Sequence, residues 1–591
     1  MRSIWATNGM HNTRSRCPPS CIYFLRFVSG AALGPIDPAS ERPVPHASPR
    51  EYPPSMLCNA RTVTRQLIQI VLTAALLLLC VPVGAQRAVY RNPVIAGDFP
   101  DPSVIRVGND YWAMTTTGTW APHFPILHSR DLVNWRIAGH MFLQKPSWAS
   151  RDFWAPEIVH DRGRFLVYYT ARRDEGAKKT GTLCVAVATA ISATGPYTDH
   201  GPLVCEIPER KNVGSIDASF IRDENNVPYL IWKADGNDAE PDEPTSIFAQ
   251  HLNDEGTILL GQREEILRNT DAWERHVTEG SFILRHGDWF YHFYSGNSCC
   301  GRSCNYALGV ARAKRLLGPW EKAPQNPILR ANEDWQCPGH GSIVSTPDGR
   351  DFLLYHSYRR RPDTFTVGRE ALLDEVRWGT DGWPVINSGK GPTSIAPAPL
   401  GVGQTESNAE FVDDFNKSKT SEGWQWPMFF EQEVHIEDGH LVLRPKKGSS
   451  DEWTGAVVAR RITSGSFVAT TLVETRGLSP RSRAGLSLYS WRDRSLGIAI
   501  GGGRVMIWRR EGRDVKTLAS IEAPTASALH LRMTAKDGEL YRFAYSTNGR
   551  DWNELGEPVN GSYIEGAHVA LIVGGETTIA RFDWIRITPS K

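Results

Sequence analysis

The chain has no surplus of charge. Its 591 residues carry 66 Lys and Arg against 65 Asp and Glu, a formal net charge of +1, which leaves no electrostatic case for nucleic acid as a partner. Its apolar run Leu67–Val83 is short for a membrane span. Cysteines are few: of ten, Cys17, Cys21, Cys58 and Cys80 fall in the first 85 residues. The other six, Cys184, Cys205, Cys299, Cys300, Cys304 and Cys337, include no His/Cys set at zinc spacing, so Cys299-Cys300-Gly301-Arg302-Ser303-Cys304 reads as a disulfide-stiffened loop rather than a metal site. An even number in an exported protein permits disulfides, but their pairing is not legible from the sequence.

Present in quantity are 20 Trp, 52 Gly and 39 Pro, the composition of a β-rich, turn-rich protein. The length implies two or three domains. Residues 1–55, rich in Pro, Ser and Arg, read as disordered or as lying upstream of the true start at Met56. Residues 56–85 read as a signal peptide: Arg61 and Arg65, the apolar run, then Val83-Gly84-Ala85 before Gln86. The expected location is therefore secreted or periplasmic, with no stable membrane span left after signal removal.

Beyond it, one pattern recurs. Gly97-Asp98-Phe99-Pro100-Asp101-Pro102-Ser103-Val104-Ile105 puts an acid between two prolines at the entrance of an apolar strand. The prolines are expected to push Asp101 toward extended backbone. The same grammar returns at Glu157, Asp217, Glu279 and His340, about 56 to 62 residues apart. Each period also holds a strand, a polar turn and an aromatic or β-branched strand, such as Asp110–Thr116 after Val107-Gly108-Asn109, and outer strands are expected at Ser129–Trp135 and Leu317–Glu321. Five such units over residues 88–395 predict an all-β, five-bladed β-propeller in which the residues opening the inner strands converge at one end of the axis. Singly, each acid reads as a turn residue or cap; their joint occurrence at the period argues for chemistry. Asp98 reads as structural beside the Gly97 turn, and Glu157 as a tie between blades.

These motifs, taken together and in order, resemble glycoside hydrolase family 43, the arabinofuranosidases, xylosidases and arabinanases. The resemblance implies that Asp101 is the general base, Glu279 the general acid and Asp217 the carboxylate that orients and tunes the acid. It also implies that Trp154, before Ala155-Pro156-Glu157, faces the sugar and that Arg369 in Val367-Gly368-Arg369-Glu370 lies on the substrate side. No cofactor is required; the resemblance admits a calcium ion at the propeller axis beside His340. The chemistry is consistent with this. Inverting hydrolysis needs a protonated carboxyl and a water-activating carboxylate roughly 6.5–9.5 Å apart, which inner strands of a narrow propeller supply. Asp217 is expected to raise the pKa of Glu279 by its like charge, while a solvated Asp101 near Arg369 stays ionised.

The Gly/Pro/Ser/Thr-rich stretch from Ser388 to Ser407 reads as a linker, placed at residues 396–408, and residues 409–591 as a second all-β domain with alternating strands and hairpin turns such as Thr547-Asn548-Gly549. This part resembles the concanavalin-like jelly roll, a β-sandwich appended to many family members. It has no acid pair at useful spacing, so it either binds substrate or shields the propeller and shapes its pocket. The function expected is an exported glycosidase that removes terminal α-L-arabinofuranosyl or β-D-xylosyl units from plant-type oligo- or polysaccharides with inversion. The loops Asp235–Thr245 and Gly296–Tyr306 are expected to shape an exo-acting pocket. Two alternatives are a non-catalytic carbohydrate-binding propeller, which has no need of all three acids, and a retaining fructan-type hydrolase, which product anomer would reveal.

Overall fold

The computed structural model describes residues 88–590 apart from 175–180, 207–212, 239–244, 361–364, 406–409, 418, 430, 447–452, 492–493 and 576–578. The expected signal peptide and the segment before it lie outside the described residues. Among those residues no helix is long and apolar enough to cross a membrane.

The recurring strand entrances open five four-stranded antiparallel sheets. Blade 1 comprises Ser103–Val107, Asp110–Met114, His123–Ser129 and Arg136–Phe142, and blade 2 Ala149–Asp161, Arg164–Arg173, Leu183–Ala190 and Thr198–Val204. Blade 3 comprises Ser215–Arg222, Pro228–Ala234, Ser246–Leu252 and Leu259–Arg268, and blade 4 Thr278–His286, Trp289–Gly296, Ala307–Ala313 and Glu321–Lys322. Blade 5 comprises Trp335–Ser345, Asp351–Arg359, Glu370–Trp378 and Pro384–Ile386. The first strand of each blade touches the first strand of the next, and that of blade 5 returns to blade 1, so the ring closes. Middle strands such as Arg164–Arg173 are buried almost throughout because neighbouring blades cover both faces, whereas the outer strand Thr198–Val204 alternates with solvent. Aromatic side chains fill the wedges between blades, as Phe124, Phe153 and Tyr169 do between blades 1 and 2.

Two local expectations are corrected. Ser129–Trp135 is a turn, not a strand: Ser129 Oγ accepts the N–H groups of Asp131 and Leu132, and Asp131 Oδ1 those of Val133 and Asn134. These side-chain acceptors outcompete a ladder, and the outer strand begins only at Arg136. In blade 4 the outer strand shrinks to Glu321–Lys322, after a turn through Gly318 at φ 93°. The stretch read as a linker also begins with structure. Ile395–Pro397 pairs with Val89–Arg91, and Asn92 exchanges two hydrogen bonds with Leu373 at 2.9 Å each. The start of the propeller is thereby tied to its last blade.

The C-terminal region is a sandwich of two sheets packed around Leu486, Ile498, Leu531, Phe543, Leu571 and Phe582. One sheet runs in the order Gln432–Glu437, His440–Pro445, Ala580–Pro589, Phe467–Glu474, Ala528–Lys536, Leu540–Ser546 and Asn553–Asn560, with Phe411–Asp413 beside Ala580–Pro589. The other runs Asp514–Glu522, Arg504–Glu511, Arg494–Gly501, Arg483–Trp491, His568–Gly574, Ala456–Arg461, Trp424–Pro427 and finally Trp120–Ala121. This last strand belongs to the propeller. It pairs with Trp426 and Pro427, and the Trp120 ring stacks on His568 at 4.0 Å. The two folds therefore share a sheet.

A second tie is Arg461, whose Nε donates to the carbonyl of Asp98 at 2.8 Å while its guanidinium lies 4.4 Å from the Phe99 ring centroid. Arg461→Ala removes a charge-assisted hydrogen bond and a cation–π contact and is expected to cost about 2 kcal/mol. A calorimetric scan showing an unchanged transition would disprove this.

Candidate active site

The inner strands do not enter the axis as regular β-structure. Asp101, Asp217 and His340 have φ of 52°, 54° and 40°, Ala155 has 43°, and Gly280 after Glu279 has 60°. In blades 2 to 5 the pairing register slips at this same level, between Trp154 and Glu157, Ile216 and Ser219, Glu279 and Phe282, and Gln336 and Gly341. A bulge at a strand entrance re-aims a side chain, and here the repeated bulges turn the periodic residues toward one cavity. The extended backbone expected for Asp101 is thus corrected. Its N–H is held by His356 Nδ1 at 3.1 Å and its carboxylate by Thr116 and Arg369, which together keep it left-handed despite the flanking prolines. Gly280 leaves room for His340, since a Cβ added there would lie 2.9 Å from the imidazole Cγ.

The cavity is about 400 Å³, and Asp101, Trp154, Asp217, Glu279, His340 and Arg369 all line it. Every site residue expected from the sequence is therefore in one place. Trp154 is half-buried and makes no ring contact with another aromatic among the described residues. Asp101 is only 8 % exposed, not solvated. Thr116 Oγ donates to its Oδ2 at 2.7 Å and Arg369 Nη1 to its Oδ1 at 3.1 Å. Burial opposes its ionisation, yet Arg369, His340 and His356 outweigh burial and hold the carboxyl well below the usual carboxylate range.

Glu279 and Asp217 are also buried, at 9 % and 7 % exposure. Glu279 Oε2 accepts from Lys233 Nζ at 2.6 Å, and its Oε1 from the Tyr306 hydroxyl at 2.9 Å. Asp217 Oδ2 accepts the Gly280 N–H at 3.0 Å. Burial, and after it the charge of Glu279, push the Asp217 carboxyl up to about 6, against the pull of His340 and Lys233. A cation outside the sequence expectation completes the group: Lys233, 1 % exposed, donates to Glu279 at 2.6 Å and to Asp235 at 2.9 Å.

His340 Nδ1 stands 3.5 Å from Asp101 and 3.8 Å from Asp217, and the backbone N–H of His340 donates to Ser295 Oγ at 2.8 Å. Among the described residues no three His, Cys, Asp or Glu side chains are placed to chelate an ion.

Glu157 does not line the cavity. Burial pushes it up to about 8, with the Ser103 hydroxyl of blade 1 beside it. Asp98 accepts the Arg369 N–H at 2.9 Å and so supports the arginine that holds Asp101.

Besides Lys233, the reading missed Thr116, His356 and Tyr306. A Lys closing the apolar strand Tyr229-Leu230-Ile231-Trp232 was the available signal for the first. Arg461, Ser490, Glu565 and His568, which the sandwich contributes to the same cavity, carried no signal at all.

A five-bladed propeller with acids gathered where its axis meets a cavity defines the class: this is a glycosidase. The chain belongs to glycosyl hydrolases family 43, which residues 90–384 match, while residues 412–588 match the beta xylosidase C-terminal concanavalin A-like domain. It is 28% identical over 503 residues to the xylosidase/arabinosidase 43B of Humicola insolens, covering 80% of this chain and 90% of that protein. A xylan 1,3-beta-xylosidase from a Vibrio species is 27% identical over 548 residues, covering 84% and 98%. Among solved structures, the GH43 protein BlXynB of Bacillus licheniformis superposes with a TM-score of 0.71 at 26% identity, over 85% of this chain and all of that one.

Proposed function

We propose that this glycosidase is exported and removes a terminal β-D-xylosyl or α-L-arabinofuranosyl unit from plant-type oligo- or polysaccharides, inverting the anomeric centre. The observation that carries the reading is three buried carboxyls around one cavity in three different electrostatic settings. The names of the similar proteins, xylosidase and xylosidase/arabinosidase, support the substrate class. The sandwich closes one side of the cavity, which favours attack on chain ends over passage of a chain through a cleft. The leader pattern of residues 56–85, a basic flank, an apolar run and small residues at its end, supports export.

Asp101 acts as base. Held ionised by Arg369, it takes a proton from the water that attacks the anomeric carbon. Thr116 fixes one carboxylate oxygen, which leaves the other lone pairs directed by a rigid frame. Glu279 acts as acid toward the leaving oxygen. Lys233 is shared by Glu279 and Asp235 and stands near Asp217, so three carboxyls surround one ammonium. Burial of the surplus negative charge favours one retained proton on the Asp217–Glu279 pair. Trp154 supplies an apolar face for the sugar ring, and Arg369 and His340 hold the base side of it.

A pH dependence follows. The pair must hold its proton, and the raised carboxyl has its midpoint at about 6, so kcat/KM falls as pH rises through that value. Asp101, with its pKa lowered, imposes no loss at mildly acidic pH. Asp217→Asn removes the like charge while Lys233 remains, so the alkaline limb moves to lower pH. A limb that stays in place in this variant excludes Asp217 as the tuning group.

The function is tested by proton NMR of the first-formed anomer from aryl β-D-xyloside and aryl α-L-arabinofuranoside. Inversion on either supports the pair Asp101 and Glu279, and the rate ratio gives the preferred sugar. Retention overturns the assignment of Asp101 as base.

A further inference from the structure

The loop after the second strand of blade 4 is stapled and faces the sandwich. It runs from Asn297 to Tyr306 in the blade whose first strand carries Glu279. Cys299 and Cys300 are bonded to each other, and Cys304 is bonded to Cys337 of blade 5. The Cys304 N–H donates to the Gly301 carbonyl at 3.1 Å and that of Asn305 to the Ser298 carbonyl at 3.0 Å. Arg302 Nη2 reaches the Ser562 carbonyl of the sandwich at 2.6 Å, with its guanidinium over Phe365. The loop ends at Tyr306, whose hydroxyl bonds Glu279.

Both neighbouring cysteines line the cavity, Cys299 half-buried and Cys300 exposed at its rim. Glu565 lines it from the sandwich side. Its backbone is fixed, since its carbonyl accepts the Ser490 hydroxyl. Its half-buried carboxylate, however, has no hydrogen-bond or ion-pair partner among the described residues. A Cβ added to Gly301 would stand 3.7 Å from Glu565 Oε2, so the carboxylate and the disulfide loop are close neighbours at the cavity mouth. A half-buried carboxylate that no protein donor occupies is free to accept from a ligand hydroxyl. Two bonded sulfurs offer a flat, polarizable surface with little hydrogen-bonding capacity, suited to the C–H face of a sugar ring.

The geometry points to a second sugar subsite between the Cys299–Cys300 disulfide and Glu565, which takes the first sugar of the leaving group. The side follows from the chemistry, and this step rests on the proposed role of Glu279. The acid delivers its proton to the leaving oxygen, so the aglycone lies on the acid's side, and this loop is the one joined to the acid through Tyr306. The disulfide contacts the ring face and Glu565 accepts from ring hydroxyls. The subsite is assembled from both folds, which gives the sandwich a direct part in substrate choice.

The test compares kcat/KM on xylobiose with that on 4-nitrophenyl β-D-xyloside for the full-length mature enzyme, Glu565→Gln and the double variant Cys299→Ser/Cys300→Ser. If arabinosides prove preferred, the corresponding arabinobiose and aryl arabinofuranoside take their place. Each variant is expected to lower the disaccharide-to-aryl ratio about tenfold, mainly through KM, as loss of a hydrogen bond to a charged group or of a ring contact implies. A ratio within twofold of the parent in Glu565→Gln overturns the subsite, and that variant decides alone should the cysteine variant not fold. If the parent enzyme turns over neither substrate, the proposed function fails separately. Calorimetric binding of xylobiose to the parent and to Glu565→Gln then decides the subsite: weaker binding by the variant supports it, and equal or absent binding overturns it.

Discussion

Asp101→Asn is expected to lower kcat by about 10²–10⁴-fold on every glycoside, whatever its leaving group. Asn has nearly the shape of Asp and retains an oxygen for Thr116, but it cannot take a proton from the attacking water. The loss is therefore in the chemical step, with KM changed little. Arg369 loses its anionic partner at 3.1 Å, and removing one member of a buried pair destabilises the fold, so the thermal transition should fall as well. Rates measured on folded enzyme across a series of aryl glycosides check the claim. A variant with more than a tenth of parental kcat, or a loss confined to poor leaving groups, would remove Asp101 from the role of base.

Glu279→Ala is expected to show the opposite dependence. On xylobiose, or on an alkyl glycoside, kcat should fall by about 10²–10⁴-fold because the departing alkoxide needs a proton. On a dinitrophenyl glycoside, whose leaving group departs as a stable anion, the loss should be about tenfold or less. The cavity around residue 279 is also changed, since Lys233 loses its partner at 2.6 Å while keeping Asp235 at 2.9 Å, and the Tyr306 hydroxyl loses its acceptor. A part of the effect common to all substrates therefore comes from disturbed packing and charge, and the leaving-group slope isolates the proton transfer. Equal losses on both substrates would eliminate Glu279 as the acid.

Much of the frame was legible because it is written locally. Each hairpin of the propeller carries its own strand-turn-strand pattern, and five repeats at one period give both the blade count and the convergence of Asp101, Asp217, Glu279 and His340. Reading failed where side chains competed with the backbone. At Ser129 and Asp131 two polar side chains capture four N–H groups and turn an apparent strand into a turn. At Asp101, contacts with residues more than 250 positions away override what the flanking prolines favour locally. Lys233 and His356 sit in apolar strands, and nothing in the periodicity marks which of their faces meets the cavity.

By itself, then, the sequence determined the two β architectures, the number of blades and the acids that share one end of the axis, since strand alternation, turn chemistry and repeat spacing act over a few residues at a time. Only the tertiary structure decided the environment of those acids and the far wall of the cavity. How far Asp217 is pushed up depends on its burial and on the charges brought around it, His340 and Glu279 from other blades and Lys233 from its own. The pairing of Cys304 with Cys337 depends on two blades meeting, and the reach of Arg461 to Asp98 and the approach of Glu565 to the Cys299–Cys300 loop depend on two folds packing together. Electrostatic and packing terms depend on distances through space, and those distances exist only once the chain has closed on itself.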